Sequence, residues 1–169
     1  MYFVRIANPE DAPKLAKLHV DTRLVAYQGQ MFDSLLDGQN VERREAYWRG
    51  RLKQSGGAVF VIESDDIVGF CDLVPSRDKG ADPKKVGEIA AIYVLSDGWR
   101  KGAGRALGYY VLEKARKNRF EAVTLWVLAS NSEAMRFYES FGFARDGAFK
   151  IETAADGSHL HQLRYRVKV

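Results

Sequence analysis

The sequence contains a single cysteine, Cys71, and no long apolar run among its 169 residues. One cysteine excludes an internal disulfide, which suits a reducing compartment. No apolar stretch approaches the roughly 20 residues that a membrane-spanning helix needs. Residues 1–5 lack a basic segment followed by an apolar one, so we expect no signal peptide and a cytoplasmic location.

Concentrated charge of one sign is also scarce. The net charge is +4 and the sequence pI is about 9.2, a balance that can favour an anionic partner. Acidic residues are interspersed throughout, however, and only residues 49–53 and 164–168 are locally basic. A solvated surface explains such short segments better than a nucleic-acid or membrane partner does. His159 and His161 lie two apart without a cysteine partner, so we expect no metal site.

Apolar spacing and turn residues predict the order of the secondary-structure elements. The run at residues 89–94 shows no alternation, which is typical of a central strand covered on both faces. Strands are predicted at 3–6, 58–62, 67–74, 89–94, 122–128, 143–151 and 160–167, and helices are predicted to begin at Asn8, Asn40, Gly102 and a Ser130–Glu133 capping box. This order predicts one mixed α/β (α+β) domain over residues 1–169, built on a central sheet.

A glycine-containing turn, Arg100-Lys101-Gly102-Ala103-Gly104-Arg105, follows the strand at 89–94 and opens a helix. Glycine lets a backbone approach a ligand closely, and the free amides of a helix start favour an anion. The pattern therefore indicates a pyrophosphate site, although an ordinary turn before a helix fits it as well. A dinucleotide-binding turn would need a third glycine where Leu107 stands, and a P-loop would need Gly-Lys-Ser/Thr.

A second motif separates these alternatives. Residues 131–143 read NSEAMRFYESFGF. This segment resembles the Asn-x-x-Ala-x-x-Phe-Tyr-x-x-x-Gly-Phe motif of the GNAT superfamily of N-acetyltransferases. The turn at residues 99–104 is similar to that family's Gln/Arg-x-x-Gly-x-Gly/Ala motif, except that Trp99 stands at the first position. With the matching element order, the resemblance covers essentially the whole chain.

The resemblance implies a GNAT fold: a mixed, mostly antiparallel sheet of about seven strands, flanked by helices and splayed between the fourth and fifth strands. It implies acetyl-CoA as cosubstrate, with the pantetheine arm along the fourth strand and the pyrophosphate on the turn. The cofactor-binding residues implied in this way are Ile92, Tyr93, Val94, Arg100, Lys101, Gly102, Ala103, Gly104, Arg105 and Asn131. Because Trp99 departs from the motif, backbone amides are expected to hold most of the pyrophosphate. Asn131 is equally interpreted as a helix cap.

Two catalytic residues are implied by their positions in the family pattern. Tyr138 occupies the tyrosine of Phe-Tyr and would donate a proton to the departing thiolate; without the motif, a core tyrosine would be the better interpretation. Glu88, at the start of the fourth strand, would be the base that deprotonates the amine. In the alternative interpretation, Glu88 is a structural carboxylate paired with Lys85 or Arg77. A chain of waters would then act as the base.

The acceptor is expected to be a primary amine of a small molecule or peptide, attacked directly in a ternary complex. Residues 27–32 and 149–161 should line its site, opposite the cofactor. Nucleic acid and membrane are not expected partners, and the sequence leaves open whether the chain forms a homodimer. The alternative function is a non-catalytic acyl-CoA-binding sensor module of the same fold.

Overall fold

The computed structural model describes residues 1–27, 41–154 and 156–169. The elements, in chain order, are β1 (Phe3–Ile6), a 3-10 turn (Pro9–Asp11), α1 (Ala12–Tyr27), α2 (Val41–Arg51), β2 (Ala58–Glu63), β3 (Ile67–Pro75), β4 (Val86–Val94), a 3-10 turn (Ser96–Gly98), α3 (Ala103–Lys117), β5 (Ala122–Leu128), α4 (Ser132–Glu139), β6 (Ala144–Thr153) and β7 (His159–Lys168). The predicted order of strands and helices is confirmed. The predicted cap of α2, Asn40, lies outside the described residues, and α2 ends at Arg51.

The seven strands form one sheet in the order β1-β2-β3-β4-β5-β7-β6. Every neighbouring pair is antiparallel except β4 and β5, which run parallel. A parallel pair needs a crossover, and α3 supplies it between these two strands. The predicted mixed, mostly antiparallel sheet is therefore confirmed.

β4 and β5 pair over only half of β4. The pairing runs from Val86 opposite Ala122 to Ile89 opposite Leu125, and residues 90–94 have no partner on β5. The register between β3 and β4 shifts at the same place, because Asp72 faces Ala91 while Leu73 faces Ile89, leaving Ala90 as a bulge. A bulge bends a strand, and here it turns the second half of β4 away from β5. The predicted splay between the fourth and fifth strands is present.

Apolar side chains cover both faces of the sheet. One cluster packs α3 and α4 against one face, and its buried members include Leu107, Val111 and Met135. The other packs α1 and α2 against the opposite face around Trp48 and Phe70. Within the described parts of the chain, no helix combines the length and apolar character required to cross a membrane.

Local side chains fix where the helices begin. Asn8 accepts a hydrogen bond from the Glu10 amide while Asp11 accepts one from the Asn8 amide, which forms the predicted start of the first helical segment. The predicted Ser130–Glu133 capping box is wrong. The cap of α4 is Asn131, whose side chain accepts a hydrogen bond from the Ala134 amide at 3.1 Å. Asn131 follows Ser130 directly and is an equally favourable cap for the free backbone amides of the first turn of α4. In the structure, Asn131 is the residue that caps the helix.

Candidate active site

A cavity of about 700 Å³ occupies the gap between the separated ends of β4 and β5. Its floor is the second half of β4, one end is the turn before α3, and α4 closes the far side. The residues that line it are Thr22, Ile89, Ala90, Ala91, Ile92, Tyr93, Val94, Gly98, Trp99, Arg100, Gly102, Gly104, Arg105, Leu125, Trp126, Asn131, Glu133, Ala134, Phe137, Tyr138, Ser140 and Phe141. We call it the cofactor-side cavity.

The floor of this cavity offers backbone hydrogen-bonding groups. The amide of Leu95 donates to Val68 of β3, and strand residues alternate in the direction of their backbone groups. Ile92 and Val94 therefore direct their N–H and C=O groups toward the gap. Trp99 approaches from the following turn, and its indole Nε1 donates to the Val94 carbonyl oxygen at 2.6 Å. A tryptophan at this position thus holds the turn against the end of β4.

The turn before α3 brings part of the predicted pyrophosphate set to the cavity. Arg100, Gly102, Gly104 and Arg105 line it, whereas Lys101 is exposed outside the lining and the Ala103 side chain is buried in the core. Arg100 has φ 61° and Gly102 has φ 92°. For a residue other than glycine, the left-handed conformation costs about 1–2 kcal/mol. A strained arginine beside a cavity is typical of a ligand site, where strain is tolerated for orientation.

Gly102 provides a direct test of the turn. We expect Gly102→Ala to strain the turn by about 1–2 kcal/mol and to raise the KM for acetyl-CoA roughly tenfold, because a Cβ disfavours the conformation that presents the amides. The added Cβ itself would meet no atom within 4 Å, so the effect isolates backbone conformation.

Gly80→Ala is the matched control for that variant. Gly80 has φ 85°, also meets no atom within 4 Å, and lies in the loop between β3 and β4. Both variants should lose similar stability in thermal melts, but only Gly102→Ala should change the KM for acetyl-CoA. An unchanged KM in both would contradict a ligand-binding role for the turn.

Asn131 and Tyr138 reach the cavity from the two ends of α4. Asn131 caps the helix and also lines the cavity, so both interpretations of this residue are compatible. Tyr138 is half-buried, and its ring packs edge-on against Phe137 and Phe143. Its hydroxyl has no hydrogen-bond partner among the described residues. Burial raises the pKa of Tyr138 above its usual value, and this keeps the phenol protonated at neutral pH.

A second, smaller cavity of about 250 Å³ adjoins the first. It is lined by Arg77, Glu88, Ile89, Ala90, Tyr93, Trp126, Leu128, Lys150, Glu152, Leu160 and Gln162. Four of these residues, Ile89, Ala90, Tyr93 and Trp126, line both cavities. The two spaces therefore meet where β4 leaves β5. We call this smaller space the acceptor-side cavity.

Glu88 lies at the base of the acceptor-side cavity and is only 3% exposed. Its Oε1 accepts the Arg77 backbone amide at 2.9 Å, and its Oε2 accepts Arg77 Nε at 3.2 Å and Nη2 at 2.5 Å. Lys85 instead lies 3.6 Å from Glu121. Of the two partners considered for Glu88, Arg77 is the one in contact. The hydrogen bonds that Arg77 donates to Glu88 raise the pKa of Arg77 above its usual value.

Tyr138 and Glu88 approach the gap from opposite faces of the sheet. Tyr138 belongs to the apolar cluster of the α3–α4 face. Glu88 stands opposite Val74 in the register, and Ala91 stands opposite Asp72. Asp72 and Val74 lie two apart on β3 and so point to the same face, which their opposite residues share. Because Ala91 packs in the α1–α2 cluster, Glu88 lies on the α1–α2 face as well. The phenol of Tyr138 thus lines only the cofactor-side cavity and the carboxylate of Glu88 only the acceptor-side cavity, on opposite faces of the sheet.

The predicted acceptor walls are only partly described. Residues 28–32 lie outside the described residues. Within 149–161, Lys150, Glu152 and Leu160 line the acceptor-side cavity, while Phe149 is 71% exposed on the other face of the hairpin. Alternation along β6 accounts for that difference.

Three residues of the site were not identified as such from the sequence. Trp126 was assigned to a buried strand, yet it forms the wall between the two cavities. Its indole donates to Asp78 Oδ1 at 2.9 Å, and Lys150 Nζ lies 4.4 Å from its ring centroid. The sequence suggests Arg77 only as a partner of Glu88, and Lys150 only as one position of the acceptor wall predicted at residues 149–161. One signal in the sequence could have identified Trp126 as a site residue. It is the only aromatic residue of the strand at 122–128, and it lies where that strand separates from β4.

Two other groups considered from the sequence lie apart from the cavities. Cys71 is buried within β3, and burial raises its pKa well above its usual value, so this thiol stays protonated. His159 contacts the Thr153 hydroxyl at 3.4 Å on the exposed end of the β6–β7 hairpin. Among residues 1–27, 41–154 and 156–169, no cluster of three or more His, Cys, Asp or Glu side chains has the arrangement of a metal site.

Comparisons with known proteins identify the family of this chain. A family model described as the acetyltransferase (GNAT) family matches residues 18–143. The uncharacterized N-acetyltransferase YuaI of Bacillus subtilis is 32% identical over 158 residues, covering 91% of this chain and 87% of YuaI. A probable N-acetyltransferase of Mycobacterium tuberculosis is 29% identical over 168 residues, covering 97% of this chain and 92% of that protein.

Solved structures show the same fold. The PaiA N-acetyltransferase of Thermoplasma acidophilum, solved with coenzyme A, has a TM-score of 0.78 at 16% identity, covering 100% of this chain and 99% of that one. The YncA protein of Salmonella typhimurium, solved with acetyl-CoA, has a TM-score of 0.72 at 19% identity, covering 99% of this chain and 93% of that one. The predicted family, fold class and enzyme class are confirmed: the chain belongs to the acetyltransferase (GNAT) family of acetyl-CoA-dependent N-acetyltransferases.

Proposed function

We propose that this protein, as one domain over residues 1–169, transfers the acetyl group of acetyl-CoA to the primary amine of a small molecule in a ternary complex in the cytoplasm. The observation that carries the proposal is that two cavities share four lining residues, while Tyr138 lines one of the cavities and Glu88 lines the other. A thioester in the cofactor-side cavity and an amine in the acceptor-side cavity would approach each other at the shared residues, which favours direct attack. The 250 Å³ of the acceptor side suits a small molecule better than a folded protein.

Each part of acetyl-CoA has groups of matching chemistry in the cofactor-side cavity. The amide of Lys101 donates to the Gly98 carbonyl oxygen at 3.3 Å. The pyrophosphate would therefore bind the remaining amides of the turn, at 102–105, assisted by the charges of Arg100 and Arg105. The pantetheine arm would pair with the gap-facing backbone groups of Ile92 and Val94, beside Tyr93. Asn131 would contact the arm from the α4 side. The Val94 amide would also stabilise the oxyanion that develops on the thioester carbonyl.

The reaction exchanges one bond for another and moves two protons. The amine nitrogen forms a bond to the thioester carbonyl carbon, and the carbon–sulfur bond breaks. The proton lost by the amine passes to Glu88, directly or through water, and the departing sulfur takes the proton of the Tyr138 hydroxyl. Each residue then returns to its starting state by exchange with solvent.

Glu88 addresses the larger of the two proton barriers. A lysine-like amine has a pKa of about 10.4, so reaching its neutral form at pH 7 costs about 4–5 kcal/mol. A carboxylate at the amine's end of the channel would take the ammonium proton before attack and pass it to solvent, so that the two proton transfers described above start from the neutral amine. The leaving thiol, with a pKa of about 8.5, needs less help.

The proposal is tested by ligand stabilisation together with thiol release. At about 100 times its Kd, acetyl-CoA should stabilise the fold by about 2.7 kcal/mol, raising Tm by roughly 5–10 °C. NAD and ATP, which also carry a pyrophosphate, serve as controls and should give much smaller shifts. Thiol release from acetyl-CoA should then depend on an added primary amine.

Two results would contradict the proposal in different ways. Equal stabilisation by all three nucleotides would overturn the assignment of the cofactor-side cavity. Strong stabilisation by acetyl-CoA without thiol release in a broad amine screen would favour the non-catalytic sensor of the same fold.

A further inference from the structure

The acceptor-side cavity carries charges of both signs in a small space. Arg77 and Lys150 contribute two cations, and Glu88 and Glu152 contribute two carboxylates. Each cation contacts one of the carboxylates: Arg77 binds Glu88, and Lys150 lies 3.2 Å from Glu152. A ligand entering this cavity therefore meets a neutral but strongly polar wall.

The pairing of Arg77 with Glu88 places a cation in front of the proposed base. Both oxygens of Glu88 are occupied, one by the Arg77 amide and the other by the guanidinium. An amine that carries only a positive charge would be repelled by that guanidinium. Arg77 fills three of the roughly four acceptor positions of this carboxylate, so the amine would find only one left, on Oε1. The resting arrangement thus disfavours simple amines.

Arg77 itself is free to exchange partners. Its side chain is 65% exposed, whereas that of Glu88 is 4% exposed. Its Nη1 has no hydrogen-bond partner among the described residues, so an anion can bind there before the contact with Glu88 breaks. A guanidinium presents a planar fork that matches a carboxylate with two parallel hydrogen bonds. The backbone amide of Arg77 would continue to hold Glu88 Oε1 in place.

Lys150, the second cation of the cavity, is a poorer match for a carboxylate than Arg77. It contacts Glu152 and also lies over the Trp126 ring, which is in turn fixed by Asp78. Its ammonium is a point charge without the planar fork of a guanidinium, so it matches a carboxylate less well. Arg77 is therefore the better anchor for an anionic group on the acceptor.

We propose that the acceptor is a small amine that carries a carboxylate, and that Arg77 recognises the carboxylate and uncovers Glu88 as it does so. On binding, the contact between Arg77 and Glu88 is replaced by two contacts with the ligand. The ligand's carboxylate binds Arg77, and its amine binds Glu88. The buried Glu88 is never left without a partner, which makes the exchange favourable. This inference rests on the proposed function and names its substrate class.

The test uses pairs of compounds that differ only in the carboxylate. Tyrosine with tyramine, histidine with histamine, and lysine with cadaverine would each be compared in the thiol-release assay. We expect kcat/KM to be larger for the acid of the best pair by about 10- to 100-fold, the usual effect of hydrogen bonds to a charged group. Phosphoethanolamine with ethanolamine tests whether a phosphate replaces the carboxylate; preference for the phosphate compound over every amino acid would overturn the carboxylate assignment.

Variants of Arg77 supply the second arm. Arg77→Gln should abolish the preference by lowering kcat/KM for the acid far more than for the simple amine, so that the ratio of the two values falls to near one. Arg77→Lys should retain part of the preference, since it keeps the charge without the fork. Lys79→Gln, which removes an exposed cation from the same loop outside both cavities, is the control and should retain the full preference.

The outcomes separate this inference from the proposed function. Equal turnover of acid and simple amine, or a preference that survives Arg77→Gln, overturns the role of Arg77 while leaving the acetyltransferase assignment intact. Binding of each acid to the complex with CoA is measured by calorimetry as a readout independent of turnover. Absence of binding by every acid also overturns the inference, whereas failure of acetyl-CoA to stabilise the protein would contradict the proposed function itself.

Discussion

Tyr138→Phe should lower kcat by about 10²-fold, the lower end of the range for general acid catalysis, because a thiolate of pKa about 8.5 leaves readily. The substitution keeps the ring that packs against Phe137 and Phe143, so the fold and the KM for acetyl-CoA should change little. Steady-state kinetics of thiol release at saturating acetyl-CoA measures the effect. Because burial raises the pKa of Tyr138, the wild-type protein should show no loss of activity from its deprotonation at pH 7–9.

The matched control for this variant is Tyr110→Phe. Tyr110 is a half-buried tyrosine on α3 that packs edge-on against Phe60 and does not line either cavity. Loss of its hydroxyl should leave kcat unchanged. If Tyr138→Phe and Tyr110→Phe both retained wild-type kcat, Tyr138 would be a packing residue and the thiolate would take its proton from water.

Asp72→Ala should strongly lower the free energy of unfolding, because Asp72 is one member of a buried ion pair. Asp72 is 2% exposed and Arg51 is 8% exposed, and the Arg51 guanidinium donates to Asp72 Oδ1 at 2.7 Å and 3.1 Å. Removing one member of a buried ion pair strands the other charge and costs about 3–5 kcal/mol. For a domain of this size the loss corresponds to a fall in Tm of roughly 6–20 °C.

Two further variants identify the cause of that loss. Glu121→Ala removes a carboxylate from an exposed pair with Lys85 and should cost at most about 1 kcal/mol. The double variant Asp72→Leu with Arg51→Met replaces both charges by apolar groups and should recover most of the stability. A double variant no more stable than Asp72→Ala would show that packing around β3, rather than a stranded charge, explains the loss. Equilibrium urea unfolding measures all three.

The position of this pair also concerns the site. Asp72 stands opposite Ala91 in the register, next to the bulge at Ala90 where β4 leaves β5. The pair ties α2 to β3 at the level of the splay. Its loss should therefore lower activity as well as stability, by loosening the floor shared by the two cavities.

The sequence was sufficient for features that depend on neighbouring residues. The Asn8–Asp11 helix start, the glycine turn before α3 and the strand at residues 122–128 are each encoded within a few positions, and they occur as predicted. The one wrong cap, Ser130 in place of Asn131, involved two adjacent residues that both favour capping. Local patterns do not decide between such neighbours, because the choice depends on how α4 packs.

Local sequence patterns do not encode the bulge at Ala90, where β4 stops pairing with β5. Residues 89–94 read as one continuous apolar run, and nothing in their order marks where pairing with β5 should end. The register shift against β3 decides it, and that shift involves residues about 20 positions away in the chain. Only the family resemblance suggested the splay in advance.

By itself, the sequence determined the family, the element order and the turn that would hold a pyrophosphate, since each depends on residue types at short, fixed spacing. The tertiary structure decided which side chains share a cavity: that Arg77 covers Glu88, that Trp126 divides the two spaces, and that Lys101 and the Ala103 side chain face away. The physical reason is that strand register and loop path bring together groups from β3, β4, β5 and β6, and no spacing along the chain records those distances.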